Sequence, residues 1–353
     1  MSRIDLSLVV AALLTASVAL AQPAGNASVP RVTGWGAPDL QGVWDFGTMT
    51  PLQRPEGQGD AAFLSEEEAQ AAEAAVDARI AQELEVGSVL KAGERLQAGD
   101  TNAAARYNEF WMERASNVVP DRRTSLIIDP PNGRLPALTA AGEASQQIGN
   151  YFEDRPMGPP VRVRGAGAGV DQPEERGLAE RCLIGFNTGP PVSPSSYNNN
   201  IQLFQTPDTV VIYNEMIHDA RIVPLDGRPH LPDSIRHWMG DSRGRWEGDT
   251  LVVESTNFTD KTGSFDSTYT STIGNGLTLH LTERFRRLDE DNLEYTYTVN
   301  DPTYFTRPFT VSLPMRRSDQ PMYGYACHEG NRGMDVILRG GRVAELERES
   351  TQR

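Results

Sequence analysis

The chain has 353 residues and a formal net charge of −15 at pH 7, from 33 Lys and Arg against 48 Asp and Glu. A negative field of this kind repels nucleic-acid phosphates and anionic lipids, so we expect no nucleic-acid partner and no adhesion to an anionic membrane. Apolar residues make up 38% of the chain and alternate with polar ones, which favours a globular protein over low-complexity disorder.

The first 21 residues have the pattern of a signal peptide. Leu6 to Leu20 is an apolar stretch, short for a membrane span, and Ala19-Leu20-Ala21 supplies the small residues that a signal peptidase requires. An uncleaved membrane anchor is the alternative. No later apolar run approaches the roughly 20 residues of a transmembrane helix. We therefore predict cleavage after Ala21, export to the periplasm or the extracellular space, and no membrane span in the exported chain.

Cys182 and Cys327 are the only cysteines. Export places them in an oxidising compartment, so we predict a disulfide between them. The alternative is a Cys327 thiol nucleophile activated by His328, which is disfavoured because neighbours on a strand point to opposite faces.

The N-terminal part of the chain combines a strand with helices. Asp39 to Phe46 is the first predicted strand, and its Gly-x-Trp at residues 42–44 is similar to the first strand of lipocalin-type barrels. Ser65 and Glu68 form a capping box at the start of a helix. A second helix, around residues 103–115, would pack one stripe of side chains against the sheet. That stripe consists of Tyr107, Phe110, Trp111 and Arg114.

From residue 123 onward the apolar pattern has a period of two, and turn residues separate short runs. Eight or more such strands predict a mainly β fold: an antiparallel β-barrel or curved sandwich, lipocalin or calycin-like, with one or two N-terminal helices packed on it. The predicted strands include 124–129, 134–138, 201–205, 210–215, 217–225, 245–256, 277–288, 293–300, 309–313 and 322–327. The predicted regions are the signal peptide (1–21), an N-terminal segment with the first strand (22–60), a helical insertion (61–118), the antiparallel β domain (119–345) and a polar tail (346–353).

Four strings of the sequence resemble those of a large uncharacterised family of secreted bacterial proteins. They are YNEFW at 107–111, RTSLIIDPPNGRLPALT at 123–139, HWMGDSRGRWEGDTLVVESTNF at 237–258 and YACHEGN at 325–331. The resemblance covers about residues 38–331 and implies export and a β-rich fold. It carries no established catalytic residues, so the candidate site residues come from the sequence itself.

All five histidines follow residue 217 and lie on or beside predicted strands. If residues 210–222 form one continuous strand, His218 lies on its apolar face and Arg221 on the other. Glu283 interrupts the apolar face of the strand over 277–285. A carboxylate among apolar side chains must pair, accept hydrogen bonds or carry a raised pKa, and such groups are frequent where protons are transferred. We therefore predict His218 and Glu283 as the leading acid–base candidates.

Two clusters near predicted strand ends add further candidates. Segment 237–246 and segment 327–331 hold imidazole, carboxylate, guanidinium and indole groups, and at the mouth of a barrel they would line a cavity for a sugar ring or another flat molecule. The alternative is that Trp246 packs in the core and each histidine is structural. The catalytic candidates are His218, His237, His328, Glu283 and Arg243, and the substrate-binding candidates are Trp238, Trp246, Arg221, Asp241 and Asn331.

We predict no cofactor. No short metal-ligand motif is present, although a barrel can bring His218, His237, His328 and Glu283 together, so a divalent metal is the alternative. Only Lys91 and Lys261 are lysines, which disfavours Schiff-base chemistry.

Two hypotheses about function remain. The first is an exported, cofactor-free acid–base enzyme, a hydrolase, lyase or isomerase, acting on a small glycosidic or partly apolar molecule in a barrel cavity. The second is a lipocalin-like periplasmic binding protein for a small ligand. Several polar groups converging in one cavity would favour the enzyme, and a mostly apolar cavity would favour the binding protein.

Overall fold

A computed structural model describes residues 31–87, 115–146, 170–185, 187–195, 197–260 and 277–351. The predicted signal peptide and the apolar stripe of the second predicted helix lie outside these ranges. No helix within them is long and apolar enough to cross a membrane.

Eleven antiparallel strands form one sheet, and nine of them follow one another around a nearly closed barrel. The strands are β1 Gly42–Asp45, β2 Ile127–Asp129, β3 Asn200–Gln205, β4 Thr209–Asn214, β5 Ala220–Pro224, β6 Asp241–Glu247, β7 Thr250–Thr256, β8 His280–Arg287, β9 Asn292–Asn300, β10 Phe309–Ser312 and β11 Met315–Arg317. The order around the barrel is β5-β4-β3-β1-β11-β9-β8-β7-β6, with β10 joining β9 to β2 beside it. The prediction of a mainly β, lipocalin-like barrel is confirmed.

Three α-helices accompany the barrel in the described part of the chain: α1 Glu66–Gly87, α2 Ala140–Gln146 and α3 Gly333–Thr351. The predicted capping box starts α1, since Ser65 N–H donates to a Glu68 carboxylate oxygen at 2.8 Å and Glu68 N–H donates to Ser65 Oγ at 3.1 Å. Glu73 of α1 accepts a hydrogen bond from Val118 N–H at 2.9 Å. This bond ties the helix to the segment that leads into β2.

The barrel interior is filled by the alternate side chains that the period of two predicts. Trp44 of β1 is fully buried, its indole N–H donates to the Leu40 carbonyl at 2.9 Å, and the Arg287 guanidinium lies 5.3 Å from its ring centroid. The rings of Phe285 and Tyr295 pack with centroids 4.7 Å apart. These large side chains form one continuous core with the aliphatic residues of the other strands.

The barrel closes between β5 and β6, the two ends of the strand order. A Cβ atom built on Gly244 of β6 would lie 2.8 Å from a Val223 methyl and 2.6 Å from a Leu225 methyl. Glycine therefore permits the close approach of two strands at a seam that side chains close.

The predicted disulfide between Cys182 and Cys327 is present. Both cysteines are buried and pack with Met216 and Ile217 in a small apolar cluster outside the main core. The disulfide joins the segment around residue 182 to the strand-free segment after β11, and it indicates a location outside the reducing cytoplasm.

Three local predictions are wrong. Residues 134–138 form no strand beyond a single bridge at Leu138, and residues 322–327 form none at all. The C-terminal residues are helical from 333, where we predicted the β domain followed by a polar tail. Gly340 and Gly341 weaken the helical signal of that segment, because glycine is a poor helix former.

The predicted continuous strand over 210–222 is interrupted by a short turn. Residues 216–218 form a single 3₁₀ turn between β4 and β5. The β4–β5 ladder pairs Ile212 with Arg221, so the inward positions change from even numbers in β4 to odd numbers in β5. Arg221 is consequently 6% exposed and Ile222 is 65% exposed. The prediction that His218 faces inward and Arg221 outward is wrong, because the side-chain period of two holds only within an uninterrupted strand.

Candidate functional site

Glu283 lies in the barrel interior and pairs with Arg221, as a carboxylate among apolar side chains requires. Arg221 binds both carboxylate oxygens, Nη1 to Oε2 and Nη2 to Oε1, the latter at 2.9 Å. The Tyr295 hydroxyl donates to Oε1 at 2.8 Å. Burial opposes the charge of Arg221, but the charge and hydrogen bonds of Glu283 outweigh it and raise the pKa of Arg221. Burial, helped by the Glu283 charge, raises the pKa of Tyr295 well above its ordinary value.

Glu283, Arg221 and Tyr295 form a hydrogen-bonded network in the barrel interior, and each of the three side chains has its partner within that network. All three side chains are buried, and they line neither the cavity beside α3 nor the cavity beside β1 and β3 that are described below. Arg221, the substrate-binding candidate, is thus paired with Glu283, the catalytic candidate. The arrangement is suited to holding the barrel interior together.

A second network fixes the connection between β5 and β6. Asp241 accepts hydrogen bonds from Arg243 Nη1 at 2.7 Å, from His230 Nδ1 at 2.9 Å and from Leu231 N–H at 3.0 Å. Asn257 donates to three carbonyls of the same connection. Two of our candidates, Asp241 and Arg243, therefore meet, and they fasten a loop together with His230, which we had not selected.

The remaining candidates lie at the surface or against the core. His237, His328 and Asn331 are exposed, and Trp238 is half-buried. Trp246 packs against the main core, which agrees with the structural alternative for that residue. Asn331 contacts Cys182 through its amide and caps the start of α3 through an Oδ1 that accepts a hydrogen bond from Gly333 N–H at 2.9 Å.

A polar cavity of about 330 Å³ lies on the outer side of β1 and β3. Asp45 ends β1, Asn200 begins β3, and these two residues are cross-strand partners. Residues 318–323, which follow β11, form another part of the cavity wall, and we call them the covering segment. The polar lining residues are Asp45, Asn199, Asn200, Ser318, Gln320 and Tyr323.

Asp45 is the titratable group that opens into this cavity. Its side chain is accessible to solvent in the cavity, but the surrounding protein replaces part of its hydration shell. This partial burial raises the pKa of Asp45. The Gly47 N–H, which donates to Oδ1 at 2.7 Å, and the charge of Arg316 act in the opposite direction, and the charge of Glu215 adds to the rise. A carboxyl group that keeps its proton to higher pH is a candidate general acid.

Glu215 stands behind the cavity wall and is only 2% exposed. Its oxygens accept hydrogen bonds from Asn200 Nδ2 at 2.8 Å and from Tyr323 N–H at 3.3 Å. Both donors belong to cavity-lining residues. Glu215 therefore joins β3 to the covering segment and supplies a negative charge next to Asp45.

The turn after Glu215 has a strained backbone. Ile217 and His218 have φ angles of 60° and 47°, and such values are unusual for a β-branched residue. Ile217 is held by its packing in the disulfide cluster. His218 Nδ1 lies 3.0 Å from the Tyr325 carbonyl, and because a carbonyl only accepts, Nδ1 carries a proton. Strained backbone concentrates at functional sites, but the exposed His218 ring does not line the cavity beside β1 and β3.

The sequence interpretation missed Asp45, Asn200 and Glu215. Each lies within one residue of the end of a predicted strand, which is where polar residues often mark a binding site. Their convergence depends on β1 lying next to β3, an order that the sequence pattern does not reveal.

A larger cavity, of about 880 Å³, lies between α3 and residues 170–180. Its walls are mainly the aliphatic side chains of α3, and its buried Arg176 is already bound to Glu180 at 2.8 and 2.9 Å. Because the guanidinium of Arg176 is already paired in this way, this cavity is the weaker candidate.

Within the described ranges, no group of three or more His, Cys, Asp or Glu side chains is arranged to hold a metal ion. Comparison of the chain with family models, with curated proteins and with solved structures found no match. The function is therefore inferred from geometry and chemistry.

Proposed function

We propose that the protein is an exported acid–base enzyme, a hydrolase, lyase or isomerase, that acts on a small molecule in the cavity beside β1 and β3. The observation that carries this proposal is the raised pKa of Asp45 at the wall of a polar cavity. The disulfide supports export, and a cleaved signal peptide with a periplasmic or extracellular location belongs to the same proposal.

Asp45 is the proton donor in this proposal. Its carboxylic acid gives a proton to the substrate atom on which negative charge develops, and the carboxylate then recovers a proton from substrate or water. Glu215 does not touch the substrate, because Asn200 and Tyr323 cover it. It is a positioning residue whose charge favours the protonated form of Asp45.

His218 lies outside the described lining of this cavity, and we propose it only as a second proton-transfer group at the surface. The hydrogen bond to the Tyr325 carbonyl leaves Nε2 as the accepting nitrogen of the neutral ring. This assignment keeps one of the two residues to which strand periodicity pointed, with a different reason: the turn presents His218 outward.

Both functional hypotheses drawn from the sequence place a ligand inside the barrel, for turnover in one and for binding alone in the other. The described interior side chains, including Trp44, Phe285 and Tyr295, pack against one another and surround the Arg221–Glu283 pair. This packing supports a ligand site outside the barrel, where the polar cavity lies.

The test is a turnover screen of the mature protein against chromogenic esters, glycosides and other small hydrolase and lyase substrates. Asp45→Asn keeps the Oδ1 that accepts the Gly47 hydrogen bond and removes the proton donor, so we expect turnover to fall by about 10²–10⁴-fold. The matched control is Asp226→Asn, an exposed aspartate in the turn after β5, which should leave turnover unchanged.

Glu215→Gln tests the electrostatic part of the proposal. Loss of the negative charge should lower the pKa of Asp45, so activity that requires the protonated acid should decline at a lower pH than in the wild type. Full activity of Asp45→Asn would overturn the assignment. Ligand binding without any turnover by the wild type would favour the binding protein.

A further inference from the structure

The described lining of the cavity beside β1 and β3 carries a charge of only one sign. Asp45 is the charged residue among the described lining residues, and none of them is Lys or Arg. Glu215 adds a second negative charge behind the wall, and Arg316, the cross-strand neighbour of Asp45, lines the cavity with no atom. A phosphate or carboxylate group entering the cavity would meet Asp45 and find no cation among the described lining residues, since Arg316 acts only from outside them, so the chemistry favours an uncharged ligand.

The other polar groups of the cavity are hydroxyls and carboxamides. Asn200, Ser318 and Gln320 carry neutral groups that both donate and accept hydrogen bonds. Such groups match ligand hydroxyls, which also donate and accept. A site built to bind hydroxyl groups rejects analogues that lack them, since its polar groups would be left unpaired.

Tyr323 adds an aromatic surface to the same cavity. Its side chain is 61% exposed, although its backbone N–H is held by Glu215. An exposed aromatic ring fixed at its backbone offers an apolar face at small entropic cost. Sugar rings combine a hydroxyl periphery with apolar C–H faces, so they can use the carboxamides and the tyrosine ring at once.

The size of the cavity limits the ligand. Its volume of about 330 Å³ lies at the lower end of the range of small-molecule sites, about 300–1,000 Å³. One or two sugar rings match this space, and a long polymer segment would extend out of it.

We propose that this cavity binds a neutral carbohydrate, a monosaccharide or disaccharide unit, with Tyr323 against the ring face and Asn200, Ser318 and Gln320 at its hydroxyls. The proposal rests on the proposed function for the location of the site and adds the class of substrate. Asp45 then faces the sugar as the acid.

The experiment measures binding of methyl glycosides by saturation-transfer NMR and calorimetry, separately from turnover. The probes are a panel of neutral methyl hexosides and their disaccharide homologues, with the corresponding methyl uronates as anionic counterparts. At least one neutral glycoside should bind, and its uronate should bind at least tenfold more weakly. Asp45→Asn, inactive under the proposed function, should retain binding.

Tyr323→Ala removes the aromatic face and keeps the backbone hydrogen bond to Glu215. Binding of the neutral glycoside should weaken by about tenfold, the size expected for loss of one aromatic contact. The matched control is Phe204→Ala, since Phe204 is an exposed aromatic residue on the outer side of β3 that does not line the cavity. Far-UV circular dichroism and the urea midpoint verify that both variants fold.

The two proposals fail in different ways. Turnover of a non-carbohydrate substrate by an Asp45-dependent route, without any glycoside binding, would overturn the carbohydrate assignment and leave the acid–base function standing. Glycoside binding that Tyr323→Ala weakens and Phe204→Ala does not, without turnover of any substrate, would overturn the enzyme and leave the ligand class standing. Equal binding of uronates and neutral glycosides, or equal effects of the two aromatic variants, would refute the carbohydrate proposal.

Discussion

Replacing Arg221 with methionine should reveal how strongly the barrel depends on its interior ion pair. The change removes the guanidinium that binds both oxygens of Glu283, a residue with no exposed surface, and leaves Tyr295 as the hydrogen-bond donor to that carboxylate. Removing one partner of a buried pair typically costs about 3–5 kcal/mol, because the other charge remains in the core. We expect Arg221→Met to lower the free energy of unfolding by about this amount.

The loss should come from the negative charge that Arg221→Met leaves unpaired on Glu283. A double variant, Arg221→Met with Glu283→Leu, removes both charges and should recover most of the lost stability, since apolar replacement of a buried pair is often neutral.

Urea unfolding followed by circular dichroism measures these differences through the transition midpoint at constant slope. Tyr295→Phe serves as the graded control, because it deletes one hydrogen bond to Glu283 and should cost about 1–3 kcal/mol. A single variant Arg221→Met that loses less than about 1 kcal/mol at neutral pH, or a double variant no more stable than the single one, would refute the view that the pair is buried and interdependent.

Three further predictions test other parts of the molecule. Replacing Cys182 and Cys327 with serine should cost roughly 5 kcal/mol in the chain-entropy model for a loop of 145 residues, measured by urea unfolding with and without reductant. Gly244→Ala should destabilise the barrel seam by about 1–3 kcal/mol, whereas Gly340→Ala, in α3 with open space around it, should stabilise by up to about 1 kcal/mol. Asp45→Asn should unfold at an equal or higher urea concentration than the wild type at pH 7. The raised pKa of Asp45 means that its ionised form is less stable in the folded protein than in the unfolded chain, and the amide removes this unfavourable free energy. This advantage should disappear as the pH falls below the ordinary aspartate value of 3.8.

The barrel and its disulfide could be predicted because they depend on local signals. Alternation of apolar residues located the strands around Trp44 and Glu283, and the Ser65–Glu68 pair located the start of α1. The buried position of Glu283 and its need for a partner also followed from alternation. The identity of that partner could not be predicted in this way, because the turn at 216–218 interrupts the alternation of inward and outward side chains before Arg221.

The cavity escaped prediction for a related reason. Its residues lie at strand ends that are far apart in sequence and meet only in the observed strand order, with Asp45 opposite Asn200 across β1 and β3. Short turns and strand order are set by tertiary packing, and neither leaves a periodic signal in the chain.

The register of β4 against β5 decides which charge lies in the core. Arg221 faces inward because it pairs with Ile212. A slip of this pairing by one residue would bring Ile222 inward and turn Arg221 out to solvent, leaving Glu283 unpaired in the interior. The buried ion pair therefore also selects one register of the hairpin, because every slip by a single residue leaves a carboxylate alone among apolar side chains.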